Sequence, residues 1–231
     1  MERKPFLPLS SWINRHSSIP VRFYDGDHID IPNKDWGVFI GLEEVSLLHK
    51  ANSLSWQGLK DSWNKTQHYL EDASEIINGL EGGWLDSEER EMIISEIGLP
   101  PNPCLPIYII TTTYNNVETV QYVGKTQNTN RFKGGHSISL KLHNPLYEGH
   151  IKRIYLCSVW FYFNDEYIAL EWIKPEETAL NLLDIIESNI IYGLKPHLNV
   201  QKKNTPPQIG FNIHIQNFCD TKVLNDEFVF N

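Results

Sequence analysis

The sequence predicts an α+β fold: a mostly helical region over residues 1–103, then a half built on a small antiparallel sheet flanked by helices. Three observations carry that expectation. Apolar residues recur every three to four positions between Leu42 and Leu80, and a further helical stretch spans Leu85–Ile97. Beyond residue 103 the chain turns to runs rich in β-branched and aromatic residues, at Ile107–Thr112, Val120–Val123 and Arg153–Phe163. Between the two stands Pro100-Pro101-Asn102-Pro103, a linker that suits neither a helix interior nor a central strand.

The elements follow in order. Residues 1–35, with Pro5, Pro8, Pro20, Pro32 and Asp25-Gly26, predict loops and one short strand at Val21–Tyr24. Trp36–Leu42 is a short apolar run that suits a strand or the start of a helix. Val45, Leu48, Leu54, Leu59, Trp63 and Leu70 then mark a helical stripe, broken near Gly58 and ended by Gly79 and Gly82-Gly83. In Leu85–Ile97, Asp86 or Ser87 can cap the helix, acids fill its first turn, and Gly98 and Pro100 stop it. Past the linker, Ile107–Thr112 and Val120–Val123 flank a polar loop, Thr113–Thr119, that contains Asn115-Asn116; this predicts a hairpin. Asn130–Leu142 reads as a helix weakened by Gly134-Gly135. Strands are expected at Arg153–Phe163 and Tyr167–Ile173. Pro175 suits the first position of a helix, with Glu176-Glu177 in its first turn, a stripe of Leu180, Leu183, Ile186 and Ile190, and Gly193 at its end. Gly210–Ile215 and Phe228–Phe230 are terminal strand candidates. The chain therefore divides into 1–103, 104–204 and a C-terminal extension, 205–231, packed on the middle part.

Composition bounds the function. With 41% apolar and 12% aromatic residues the chain can build a packed core. Cys104, Cys157 and Cys219 are widely spaced with no Cys-x-x-Cys pair, which argues against a zinc knuckle or a disulfide framework and for a reduced, cytoplasmic protein. No signal peptide and no membrane-spanning run is legible. The net charge of −9 argues against a simple basic nucleic-acid binder. Its distribution changes that view. Residues 1–103 hold 9 Lys+Arg against 17 Asp+Glu, whereas residues 104–204 hold 10 against 9. A near-neutral half can still present a local basic face.

That half carries an ordered set of motifs. Pro106-Ile107-Tyr108 is followed by Tyr122-Val123-Gly124-Lys125, then Arg131, His136, His143-Asn144-Pro145, Glu187 and Pro196-His197-Leu198-Asn199. In this order and spacing the segment resembles the GIY-YIG nuclease family. Pro106-Ile107-Tyr108 stands for the first signature tripeptide and Tyr122-Val123-Gly124 for the second. Pro106 replaces the usual glycine, which a strand start tolerates. The resemblance covers about 100 residues.

The resemblance implies a site. Glu187 would be the metal ligand, since one carboxylate plus the substrate phosphate can anchor Mg²⁺, with Mn²⁺ as a substitute. Arg131 would clamp the scissile phosphate through its planar fork. Tyr108 would contact the attacking water as general base, and Tyr122 would share that role or hold the phosphate. An ordinary tyrosine pKa of about 10 makes a poor base near pH 7, so this role needs a depressed pKa. A strand tyrosine packed in the core is the ordinary alternative for both. Asn199 would brace the site by hydrogen bonds, or be a turn asparagine. His136 would be the matching catalytic histidine; it lies five residues after Arg131 where the family often has four, which on a regular helix turns it off the arginine's face, and Gly134-Gly135 can relax the helix and restore the approach. Lys125, Lys133 and His143 are candidate DNA contacts, or solvated surface groups.

Three function classes stay open on these residues. One is a metal-dependent endonuclease acting on double-stranded DNA, of restriction or defence type and acting as a homodimer, with a repair nicking nuclease as its variant. Another is a catalytically silent nucleic-acid-binding module of the same fold. The third is an interaction protein whose acidic N-terminal helices engage a partner that inhibits or targets the nuclease.

Overall fold

The structure is a computed structural model, described here over residues 9–16, 32–54, 58–79, 83–126, 137–163 and 166–229. Seven strands form one mixed sheet: β1 (Gly37–Leu47), β2 (Ile107–Tyr114), β3 (Val117–Lys125), β4 (Ile151–Phe163), β5 (Glu166–Ala169), β6 (Asn212–Asn217) and β7 (Glu227–Val229). The order is β3-β2-β4-β1-β6-β7, with β5 also paired to β4. Among the described residues the helices are α1 (Ser10–Ile13), α2 (Leu59–Ile76), α3 (Ser87–Ile97), α4 (Ser137–Lys141) and α5 (Glu176–Leu194), with 3-10 turns at Leu48–Ser53, Pro145–Tyr147 and Leu170–Trp172. The fold is α+β, as the sequence predicts.

The sheet is larger than expected and not purely antiparallel. β1, from the acidic first hundred residues, pairs antiparallel with β4 and parallel with β6. Among the described residues, the region before the linker therefore holds helices together with one central strand. The helical stripe read from Leu42 onward fails for residues 42–47, which continue β1. Val38, Ile40 and Leu42 are buried there, and the mid-sheet position of the strand overrides a weak helical period. A 3-10 turn follows at Leu48–Ser53, and the α-helix of the stripe starts at Leu59, after the extended N-cap Gly58.

Other boundaries shift for local reasons. The loop expected at Thr113–Thr119 shrinks to the two residues Asn115-Asn116, at φ of 48° and 62°. Two successive positive φ values are what a type I′ hairpin turn needs, and asparagine tolerates them. Asp86 caps α3 in a full capping box with Glu89, each side chain accepting the other's backbone N–H. Pro175 is the cap residue before α5 instead of its first position. That helix runs one residue past Gly193 and ends on Lys195 in the left-handed region, φ 48°. Tyr167–Ile173 is only in part a strand, since Leu170–Trp172 forms a 3-10 turn. The strand expected at Val21–Tyr24 lies outside the described residues.

β2 and β4 are apolar on both faces because both faces are covered. Ile107, Ile109, Tyr155 and Cys157 enter the main core with α2 and α5, while Tyr108, Ile110, Ile154 and Leu156 enter a second cluster. That second cluster is closed by Leu48 and Ala51, by Ile138 of α4 and Leu142 just after it, and by Tyr147. The main core draws residues from both sides of the Pro100–Pro103 linker. Glu171 fastens the same junction: one carboxylate oxygen accepts from the Ser62 hydroxyl (2.6 Å) and from the Cys104 N–H (2.7 Å). Both bonds lie in the protein interior, where hydrogen bonds to a charged group contribute most. No helix among the described residues is long and apolar enough to cross a membrane.

Candidate active site

The β2–β3 hairpin builds the first part of the site. Tyr108 lies directly opposite Gly124, and Ile110 opposite Tyr122. Cross-strand partners share a face, so both tyrosines point to the second cluster's side of the sheet. Their ring centroids are 6.0 Å apart at 34°. Gly124 makes this closure possible. A Cβ there would stand 2.5 Å from the Tyr108 Cζ and hydroxyl and 2.8 Å from Tyr122 Cε1. Any other residue at position 124 would expel one ring, so the tyrosine-x-glycine spacing is a steric requirement. Tyr108 is fully buried and Tyr122 only partly, so Tyr122 is the one of the pair that meets solvent.

α5 supplies the second part. Glu187 sits mid-helix among Ile186 and Ile190 and is 8% exposed. Its Oε2 accepts from the Lys202 ammonium at 2.6 Å, and the same ammonium donates to Asp184 Oδ1 at 2.8 Å. Asp184 in turn pairs with Lys125 at 2.7 Å. Two acids and two lysines thus alternate along one chain of contacts. Burial would raise the Asp184 carboxyl, but hydrogen bonds and charge from Lys125 and Lys202 hold it below the ordinary aspartate value. Burial would lower Lys202; Asp184 and Glu187 outweigh it and hold that lysine above its ordinary value.

Asn199 joins the two parts. Its side-chain oxygen accepts the Val123 N–H and its amide donates to the Val123 carbonyl, both at 2.9 Å. The Leu198 N–H donates to the Gln121 carbonyl beside it. The 198–199 segment therefore pairs along the outer edge of β3, and one side-chain amide does the work of a strand residue.

The candidate residues fall into groups. Tyr108 and Tyr122 come together. Lys125 and Glu187 come together through Asp184 and Lys202, on the face of β3 that looks to α5 and the main core. The tyrosines face the other way, and Asn199 holds the strand edge between. His143 is exposed in the turn after α4, ahead of Asn144, whose side chain caps the 3-10 turn by accepting the Leu146 N–H. Arg131, Lys133 and His136 lie outside the described residues. The sequence reading missed Asp184 and Lys202. Asp184 had a signal, being an acid three positions before Glu187 and so on the same helix face. Lys202 had none, because a residue in an irregular segment has no periodicity to place it.

The donor set suits a hard divalent cation. The Glu187 and Asp184 carboxylates already converge on one cationic atom, the Lys202 nitrogen, and are oxygen donors of the kind Mg²⁺ takes. No group of three or more His, Cys, Asp or Glu residues that could hold a metal occurs among the described residues. No protein-family model, no curated protein and no solved structure matches this chain.

Proposed function

We propose that the chain is a divalent-metal-dependent endonuclease of the GIY-YIG kind, hydrolysing DNA phosphodiester bonds in a restriction or defence role. The observation that carries this reading is the pair Tyr108 and Tyr122 closed over Gly124, on a hairpin whose edge strand is flanked by the Glu187 helix. Glu187, with Asp184 beside it, would hold Mg²⁺, which when bound supplies positive charge against the phosphate and its leaving 3′ oxygen. Tyr108 and Tyr122 are assigned the attacking water on their motif positions alone, since both rings lie on the face of β3 away from Glu187. Lys125 contributes cationic charge near the phosphate path, and Asn199 fixes the strand that carries Tyr122. Arg131 is assigned the phosphate clamp on its motif position alone. One such site cuts one strand, so a duplex break calls for two copies related by a two-fold axis.

A second reading, a nucleic-acid-binding module without catalysis, is favoured by two specific observations. Glu187 is already neutralised by Lys202, and the tyrosines face away from it across β3. Incubation with plasmid and Mg²⁺ or Mn²⁺ separates the readings. Metal-dependent breaks that vanish in Glu187→Ala, with the variant still folded by circular dichroism, are the expected result. Cleavage undiminished in Glu187→Ala would remove the metal role, and DNA binding without cleavage under either metal would establish the silent module.

A further inference from the structure

The face of the sheet that carries the tyrosine pair continues along the hairpin into an open cleft of about 540 Å³ that the reading above does not use. Tyr108, Ile110, Thr112 and Tyr114 alternate along β2 on that face. Tyr114 lies six residues, about 20 Å, from Tyr108. The cleft wall is a ring stack: Tyr114 lies on His150 with centroids 4.6 Å apart and planes 21° from parallel. Tyr147 meets His150 edge-on at 5.8 Å and fixes it from behind. The stack is not a core feature, since Tyr114 is 55% exposed, and neighbouring Val117 and Leu146 are 63% and 69% exposed. The floor is polar. The Gln121 amide donates to the hydroxyls of Thr112 and Thr119, both at 2.9 Å. Both amide hydrogens are spent there, and among the described residues the Gln121 side-chain oxygen accepts no hydrogen bond, which leaves it as an acceptor.

A flat aromatic face over a floor of hydroxyls and one amide oxygen matches a ring that is planar on its faces and hydrogen-bonding on its edge. A nucleobase is such a ring. The charge pattern agrees. Glu148 lines the cleft and would repel a phosphate inside it. Lys152 stands directly opposite Thr112 on β4, on the same sheet face, where a backbone phosphate can pass outside. We propose that this cleft takes one unpaired base of a DNA substrate, stacked on Tyr114 and hydrogen-bonded at the Thr112–Thr119–Gln121 floor. The choice of DNA rests on the nuclease reading; the base-sized chemistry of the cleft does not. The protein would then recognise helical irregularity, an extrahelical or single-stranded base, beside whatever sequence it reads.

The test is equilibrium binding by fluorescence anisotropy with EDTA present, so that cleavage plays no part. Three labelled duplexes are compared: fully paired, with a one-base bulge, and with an abasic bulge of the same backbone. The full-length protein is expected to hold the base bulge at least fivefold more tightly than the abasic bulge, in line with one base–aromatic stack. Tyr114→Ala, at an exposed position, should abolish that difference while Tyr114→Phe keeps it. Equal affinity of the wild-type protein for base and abasic bulges overturns the proposal, as does a difference that survives Tyr114→Ala. The two readings fail separately. A base preference without metal-dependent cleavage leaves the cleft assigned and removes the nuclease, whereas cleavage without a base preference removes the cleft alone.

Discussion

At the scale of single residues, the candidate site is governed by two steric and electrostatic facts. Gly124 lets two tyrosine rings occupy the space above one backbone position, and Lys202 draws two carboxylates onto one nitrogen. The second fact has a pH signature. Asp184 is held below its ordinary value, so its contribution to stability is complete above about pH 4 and is lost as pH falls through the lower folded value. Lys202 is held above its ordinary value, so its contribution is complete below about pH 10 and is lost as pH rises through the higher folded value. Lys202→Met should move the Asp184 titration, followed by carboxyl-carbon NMR, upward toward the ordinary value. Lys125 still holds it part of the way. An Asp184 titration unmoved by the substitution would show that Lys202 exerts no field there.

At the scale of elements, β3 is an edge strand finished by a side chain. An exposed strand edge presents unpaired N–H and C=O groups, and here Asn199 satisfies both groups of Val123. Asn199→Ala would leave two buried backbone groups without partners, at a cost of about 2–3 kcal/mol. Urea unfolding should report that loss, and amide exchange at Val123 should quicken more than at Val159 in the middle of β4. Equal exchange at the two positions would mean that water replaces the asparagine without loss. The hairpin itself was legible in the sequence, because β-branched runs and Asn115-Asn116 are local signals. Its true length was not. Thr113 and Val117 read as loop neighbours by composition, yet they pair with Glu118 and Tyr114 once the turn is tight.

At the scale of the whole molecule, the sheet does not respect the linker. β1 lies between β4 and β6, so residues on both sides of Pro100–Pro103 share one sheet and one core. Glu171 adds a buried clasp between α2 and the linker's end. Residues 104–231 alone would therefore expose the edge of β4 and leave β6 paired only to β7. That fragment is expected to show no cooperative thermal transition, whereas the full chain melts as one unit. A fragment that folds cooperatively would mean that β2, β3, β4 and α5 make a self-sufficient domain. The acidic first hundred residues then gain a concrete role: they supply a central strand and the helix that packs on the Leu170–Trp172 turn.

Sequence alone determined what depends on neighbours along the chain. The α+β class, the two long helices, the capped start of α3 and the hairpin were readable from periodicity and turn chemistry, and the candidate set Tyr108, Tyr122, Glu187 and Asn199 only through the family resemblance that the motif order carries. Tertiary structure decided what depends on residues far apart. It put β1 in mid-sheet, turned the tyrosines and Glu187 to opposite faces of β3, and brought Asp184 and Lys202 to Glu187. The reason is physical: a strand's partner and a lysine's counter-ion are chosen by burial and charge across the fold, and neither leaves a period in the sequence.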